Sequence, residues 1–342
     1  MKLPRLISLF SVMFFIGTCI ISTQGFGQEK TITLRYSNFF PVSHKNSIVA
    51  DQWCKEVEKR TNGRIQVRYY GGATLTSPLQ TYDSVIQGVV DVGNCVMSYT
   101  MGKFPLTEVL DYPLGIPSGY VATKMMNAYY AKFKPKEFDD VKVLYFHGQA
   151  PGIIHTSKTP VYKLEDLKGL KFRTPGISAD YMALLGGTPV AMPMNDAYDA
   201  LSKGVTNGIM AAYETLQGYK LGEVLHYSTE DYQVAYTSTF FVVMNKAKWN
   251  SIPADLQKII MQVSEEWIEK QGKLWDEINA DGREYAKKRG IKIIQLSPEE
   301  GARWAAKAQP LFDKYLQKMK EKNLPGDQVL KWTRDFLKAN PK

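Results

Sequence analysis

Residues 31–37 alternate between apolar and polar side chains, the two-residue period of a strand with one face toward a core. The segment Asn38-Phe39-Phe40-Pro41-Val42-Ser43-His44 breaks that alternation. Ser43 then suits the N-cap of a helix that gathers Ile48, Val49, Trp53 and Val57 on one face and stops at Gly63. Residues 64–70 predict a second strand, 79–87 a helix closed by Gly88, and 89–96 a third strand. Helical crossovers join parallel strands, so this first stretch predicts a parallel β-α-β-α-β unit.

Further strands are predicted over 141–146, 209–213, 237–245 and 291–296, and helices over 178–185 and 197–202. Pro253 opens a helix that keeps Leu256, Ile259, Ile260, Val263, Trp267, Ile268, Leu274 and Ile278 at helical spacing as far as residue 288. At about 1.5 Å per residue it would extend about 50 Å, enough to cross two lobes. Ser297-Pro298-Glu299-Glu300 caps another helix. A second strand–helix series followed by a return to strands of the first kind predicts two α/β lobes, one inserted within the other.

Composition adds little to this picture: 44% hydrophobic and 23% charged residues in 342 is ordinary for a globular chain with a sizeable core. The N-terminus changes it more. Lys2 and Arg5 precede an apolar run over 6–21, and Gly25 and Gly27 follow, which is the layout of a cleavable signal peptide over residues 1–27. An uncleaved anchor, or lipidation at Cys19, are the alternatives. Removing the leader lowers the formal net charge of +9 by two. The remaining basic residues are dispersed rather than interleaved with aromatics, which argues against nucleic acid as a partner. Cys54 and Cys95 read as core-facing thiols, with a disulfide permitted by an exported setting.

The catalytic signatures are missing. His44, His147, His155 and His226 form no HExxH or i, i+4 metal pair, and no GxSxG, P-loop or GxGxxG is present. Asp139-Asp140 and Glu265-Glu266 lie in polar surface patterns. These features argue for a non-enzymatic protein without a metal or cofactor.

One cation stands out. In Leu170-Lys171-Phe172-Arg173 the guanidinium sits at the carboxyl end of a short strand, where α/β sheets collect ligands. Pro175 and Gly176 fix a turn just beyond it. A guanidinium held this way matches a carboxylate bidentately, although an ordinary interlobe salt bridge would use the same placement.

The stretches LEDLKGLKFRTPG (164–176), LGGTPVAMPMNDAYDALSKGVTNG (185–208), the opening 34–75 and SIPADLQKII (251–260) resemble the DctP family. Its members are solute-binding proteins of tripartite ATP-independent periplasmic (TRAP) transporters. The resemblance spans nearly the whole chain after the leader. It implies an α/β, two-lobed periplasmic binding protein fold with a hinged cleft and a long interlobe helix. The lobes would be 28–146 with 237–275, and 147–236 with 276–342. It further implies a periplasmic protein that captures an organic acid anion through Arg173 and delivers it to a membrane permease. Some members dimerise, but no extra swapped helix is apparent here, so a monomer is the expectation. A sensory binding module and a secreted enzyme are the alternatives.

Two departures from the family pattern bear on the ligand. Ala211 stands where members often carry an asparagine, and QAPGIIHTSKTPV (149–161) lacks the second arginine found in some. A sugar-like acid is therefore disfavoured. Phe39, His44, Tyr99, His155, Tyr213, Glu214, Tyr236 and Phe240 lie at strand ends or lobe junctions and are the remaining candidates for the cleft wall. Together they suggest an aromatic or apolar carboxylate.

Overall fold

The computed structural model describes residues 31–341; the expected leader over 1–27, with Cys19, lies outside them. In chain order the strands are β1 (Ile32–Asn38), β2 (Ile65–Tyr70), β3 (Val92–Val96), β4 (Val141–Gly148), β5 (Ile153–Thr156), β6 (Lys171–Arg173), β7 (Thr188–Val190), β8 (Gly208–Ala211), β9 (Tyr227–Glu230), β10 (Thr239–Asn245) and β11 (Lys292–Gln295). The helices are α1 (Lys45–Arg60), α2 (Thr81–Ile86), α3 (Gly119–Phe133), α4 (Ile177–Leu185), α5 (Ala197–Ser202), α6 (Glu214–Gly218), α7 (Lys246–Asn250), α8 (Ala254–Lys288), α9 (Pro298–Glu321) and α10 (Gly326–Ala339).

Two sheets organise these elements. The first runs β2-β1-β3-β10-β4 and the second β11-β9-β5-β8-β6-β7. β1 pairs in parallel with both β2 and β3, as the crossover rule requires. β10 arrives from the second sheet and pairs antiparallel with β3 and β4. Every residue of β10 is buried, which explains its unbroken run of apolar and aromatic side chains.

The chain crosses between the sheets three times. The connections β4–β5 and β9–β10 run side by side as a ribbon: Gln149 N–H donates to Ser238 O (2.9 Å) and Gly152 N–H to Tyr236 O (2.8 Å). The third crossing is α8, which packs on α1, α3 and β4 at one end and on α6 and β11 at the other. Its indoles anchor it. Trp267 Nε1–H donates to Val49 O (2.9 Å), and Trp275 Nε1–H donates to His147 Nδ1 (3.0 Å).

Several local expectations change. The N-cap of α1 is His44, not Ser43: its Nδ1 accepts from Asn46 N–H (3.1 Å). Ile48 is 47% exposed, because the buried face of α1 is formed by Asn46, Ala50, Trp53, Cys54 and Val57. Pro253 is the N-cap of α8 rather than its first residue. Cys54 and Cys95 are free, buried thiols. The C-terminal part assigned to the second lobe also reaches the first: Tyr315 Oη–H donates to Leu106 O (2.9 Å), and Trp332 of α10 packs on Tyr129 and Phe133 of α3.

Candidate functional site

Segments from several strand ends converge between the sheets around a narrow cavity. Phe39 and Phe40 follow β1, and Tyr99 follows β3. Arg173 and Pro175 come from the end of β6, with Met194, Glu214 and Tyr219 beside them. Gln149, Tyr236, Ser238 and Phe240 belong to or adjoin the crossing ribbon, so one wall of the cavity is built from the segments that link the lobes. The space is tight, with about 20 Å³ open to the centre of a water-sized sphere.

Arg173 is 3% exposed. Its Nε–H and Nη2–H donate to Met192 O (3.0 and 2.7 Å), and Nη2–H also donates to Tyr99 Oη (2.9 Å). All of these acceptors are neutral, and among the described residues no carboxylate forms an ion pair with it. Gly176 makes the approach to the first lobe possible: its φ is +58°, and a Cβ there would lie 2.6 Å from Ser98 Cβ.

The aromatic wall is ordered by ring contacts. Phe39 stacks on Phe240 (6.0 Å between centroids, 13°) and meets Tyr99 edge-on (84°). Phe240 stacks in turn on His147 (4.6 Å, 8°). The bond from Trp275 to His147 Nδ1 places the imidazole proton on Nε2, which faces Asn94 Oδ1 (3.2 Å). Burial holds His147 neutral, with its pKa pushed down to about 3. Tyr236 Oη–H donates to Met210 O (2.8 Å), fixing its ring across the ribbon.

Of the residues singled out from sequence, Arg173, Phe39, Tyr99, Glu214, Tyr236 and Phe240 line this cavity. His44 stands behind it: its Nε2 lies 2.9 Å from Glu214 Oε2, a buried contact between the two lobes. His155 and Tyr213 lie elsewhere. His155 is fully buried on β5, its Nδ1 2.8 Å from Ser228 Oγ, and burial lowers its pKa to about 4. Tyr213 Oη–H donates to Glu230 Oε1 (2.8 Å), which also accepts from Arg283 Nε (2.8 Å). Strand-end position alone did not distinguish these interior groups from the cavity wall.

Gln149 and Tyr219 escaped the sequence reading. Gln149 Nε2 and Tyr219 Oη are buried without a hydrogen-bond partner, and both residues line the cavity. The only hint to Gln149 was its place just before Pro151-Gly152, where the chain changes lobe.

A roomier cleft, about 500 Å³ by the same measure, lies between Met97–Gly102, α4 and α9. Its lysines are already neutralised, Lys314 by Asp180 (3.2 Å) and Lys318 by Glu108 (2.8 Å). The narrow cavity, with an unneutralised guanidinium, is the better anion site. Among the described residues, no group of three or more His, Cys, Asp or Glu is placed to hold a metal ion.

A family model described as bacterial extracellular solute-binding protein, family 7 (DctP), matches residues 36–318. Three solved structures place the chain among relatives. One is a TRAP periplasmic solute-binding protein of Desulfovibrio salexigens in an open complex, 36% identical with a TM-score of 0.79, covering 90% of this chain and 96% of that one. A marine metagenome TRAP protein specific for aromatic acid ligands, bound to metahydroxyphenylacetate, is 30% identical with a TM-score of 0.86 and coverage of 91% and 100%. A Rhodoferax ferrireducens TRAP protein with copurified benzoate is 30% identical with a TM-score of 0.84 and coverage of 90% and 98%.

Proposed function

The chain belongs to the bacterial extracellular solute-binding proteins of family 7, the DctP family that serves TRAP transporters, and we propose that its cleft captures a compact aromatic carboxylate. The buried, unneutralised guanidinium of Arg173 carries this reading. Removing a charge from water costs several kcal/mol unless a counter-charge compensates, and an incoming carboxylate supplies one. Both N–H groups of Nη2 are already donated, to Met192 O and Tyr99 Oη, while among the described residues no hydrogen bond engages Nη1, so its two N–H groups remain for a carboxylate. Phe39, Tyr99, Tyr236 and Phe240 give the rest of the ligand flat apolar surface. The aromatic acids bound by the two 30%-identical relatives support the same class.

The tightness of the cavity fits a closed conformation, so loading requires the lobes to part. The moving bodies are residues 28–146 with 237–275, and 147–236 with 276–342, linked by the ribbon, α8 and the contacts of α9 and α10. The protein acts as a periplasmic monomer after removal of residues 1–27, hands its ligand to a permease and performs no turnover.

Isothermal titration of protein purified under denaturing conditions and refolded, to remove carried-over ligand, tests the reading. Benzoate, 3-hydroxybenzoate or mandelate should bind saturably at micromolar or tighter affinity, with glucuronate at least 100-fold weaker. Preference for glucuronate would overturn the aromatic assignment, and silence toward every carboxylate would overturn the role of Arg173.

A further inference from the structure

The cavity holds a second charged group whose purpose is not exhausted by carboxylate capture. Glu214 is buried, lines the same cavity as Arg173, and forms no ion pair with it among the described residues. Its Oε2 is engaged by His44 Nε2, while among the described residues no hydrogen bond engages Oε1. The arrangement is built rather than incidental. A Cβ on Gly218 would lie 2.4 Å from His44 Nε2 and 3.1 Å from Glu214 Oε2, so the imidazole reaches the carboxylate only because residue 218 has no side chain. Tyr219, next in sequence, turns its buried and unpartnered hydroxyl to the same space, and Gln149 adds an unpartnered amide.

We propose that Glu214 is a specificity residue that selects carboxylates carrying a second group able to donate a hydrogen bond, a hydroxyl above all, and rejects dicarboxylates. The proposal rests on the reading of this cavity as a carboxylate site. A carboxylate oxygen only accepts, so its fitting partner is a hydroxyl or amine. A ligand lacking that donor strips water from Glu214 without replacing it, and leaving a charged group unsatisfied costs more than a neutral hydrogen bond gains. Sites built to bond a hydroxyl reject the deoxy analogue strongly for this reason. A second ligand carboxylate would meet like charge in a low-dielectric space. His44 is a positioning residue: it holds one oxygen and leaves the other for the ligand.

The test compares matched pairs by titration: 3-hydroxybenzoate with benzoate, mandelate with phenylacetate, and lactate with propionate, with isophthalate as the diacid. The wild type should favour the hydroxylated member of at least one pair tenfold or more. Glu214→Leu should bring that ratio to about one, chiefly by raising the affinity of the deoxy member, since no buried carboxylate is then left unsatisfied. Glu214→Gln, nearly isosteric, should admit isophthalate at least tenfold better, and covers the case in which the leucine variant does not fold. His44→Gln should lower the hydroxyl preference without abolishing it. Ratios near one in the wild type for every pair, or ratios kept in the Glu214 variants, overturn the proposal. Hydroxyl preference confined to lactate over propionate sinks the aromatic reading but supports the role of Glu214; no binding of any acid sinks both.

Discussion

The Tyr99 hydroxyl accepts two hydrogen bonds from the opposite lobe, one from Arg173 Nη2 (2.9 Å) and one from the Met194 N–H (2.8 Å). Both lone pairs are thus occupied, and the phenolic proton is left to donate. A single atom of the first lobe therefore orients the Arg173 guanidinium of the second and ties the lobes together.

Tyr99→Phe removes that atom while keeping the ring. A buried backbone N–H and one guanidinium edge lose their acceptor, at a cost of about 1–3 kcal/mol. The melting temperature should fall, and carboxylate affinity should fall about tenfold or more, with circular dichroism unchanged. Unchanged affinity would show that Arg173 needs no orientation from the first lobe.

Arg173→Lys keeps the charge but not the planar fork. Lysine has three N–H donors, so bonding Met192 O and Tyr99 Oη would leave it one for a carboxylate, where arginine keeps both N–H groups of Nη1. Affinity should drop by about 100-fold, and Arg173→Met should abolish measurable binding while the protein remains folded. Titration of both variants with the best wild-type ligand decides the matter.

Stability should respond to pH through two opposed groups. Burial raises the pKa of Asp111, which accepts from Thr239 N–H, to about 7. Between about pH 4 and 7 the folded state then holds a proton that the unfolded state has lost, so this contribution falls as pH rises. His147, with its pKa lowered to about 3, behaves oppositely: the unfolded state takes up a proton first as pH falls, so its contribution is present above about 6.5 and lost on acidification. Asp111→Asn keeps an acceptor for Thr239 and leaves only the rising trend. Its melting temperature should climb more steeply than the wild type's between pH 4 and 6.5. Equal slopes would mean that Asp111 titrates normally.

Cys54 and Cys95 should not react with a thiol reagent in the native state. Both are buried, and burial pushes the Cys95 thiol up to about 12. Two equivalents should appear on denaturation, and non-reducing electrophoresis should match reducing. Fewer than two would mean that the thiols had been oxidised.

The alternation at 31–37, the 237–245 run and the apolar stripe of α8 were legible because each is a long, regular pattern with one buried face. α3 and α10 were not anticipated, nor were the short strands β5, β7 and β9, whose three or four residues give periodicity little to act on. The site divided along similar lines. Arg173 stood out through the motif around it rather than its position alone, since a guanidinium between an apolar strand and Pro-Gly suits an interlobe salt bridge equally well; in the fold it lines the cavity. His155 and Tyr213 occupy comparable strand-end positions, but their side chains are satisfied inside the second lobe by Ser228 and Glu230. Tyr219 carries no local signal and Gln149 only its place before Pro151-Gly152; the meeting of distant segments is what leaves their polar atoms without partners among the described residues.

Strand β10 sits between β3 and β4, yet the chain reaches it only after the whole of β5 to β9. A ribosome that has released residues 31–148 has produced a first sheet split at its centre, with β3 and β4 lacking the strand that joins them. Closing that gap waits for contacts across roughly a hundred residues, which is slow for entropic reasons. An exported chain would gain from such a delay, which would keep it threadable until β10 emerges. The same dependence forbids dissecting the protein: residues 31–148 expressed alone should aggregate through the open edges of β3 and β4 rather than fold.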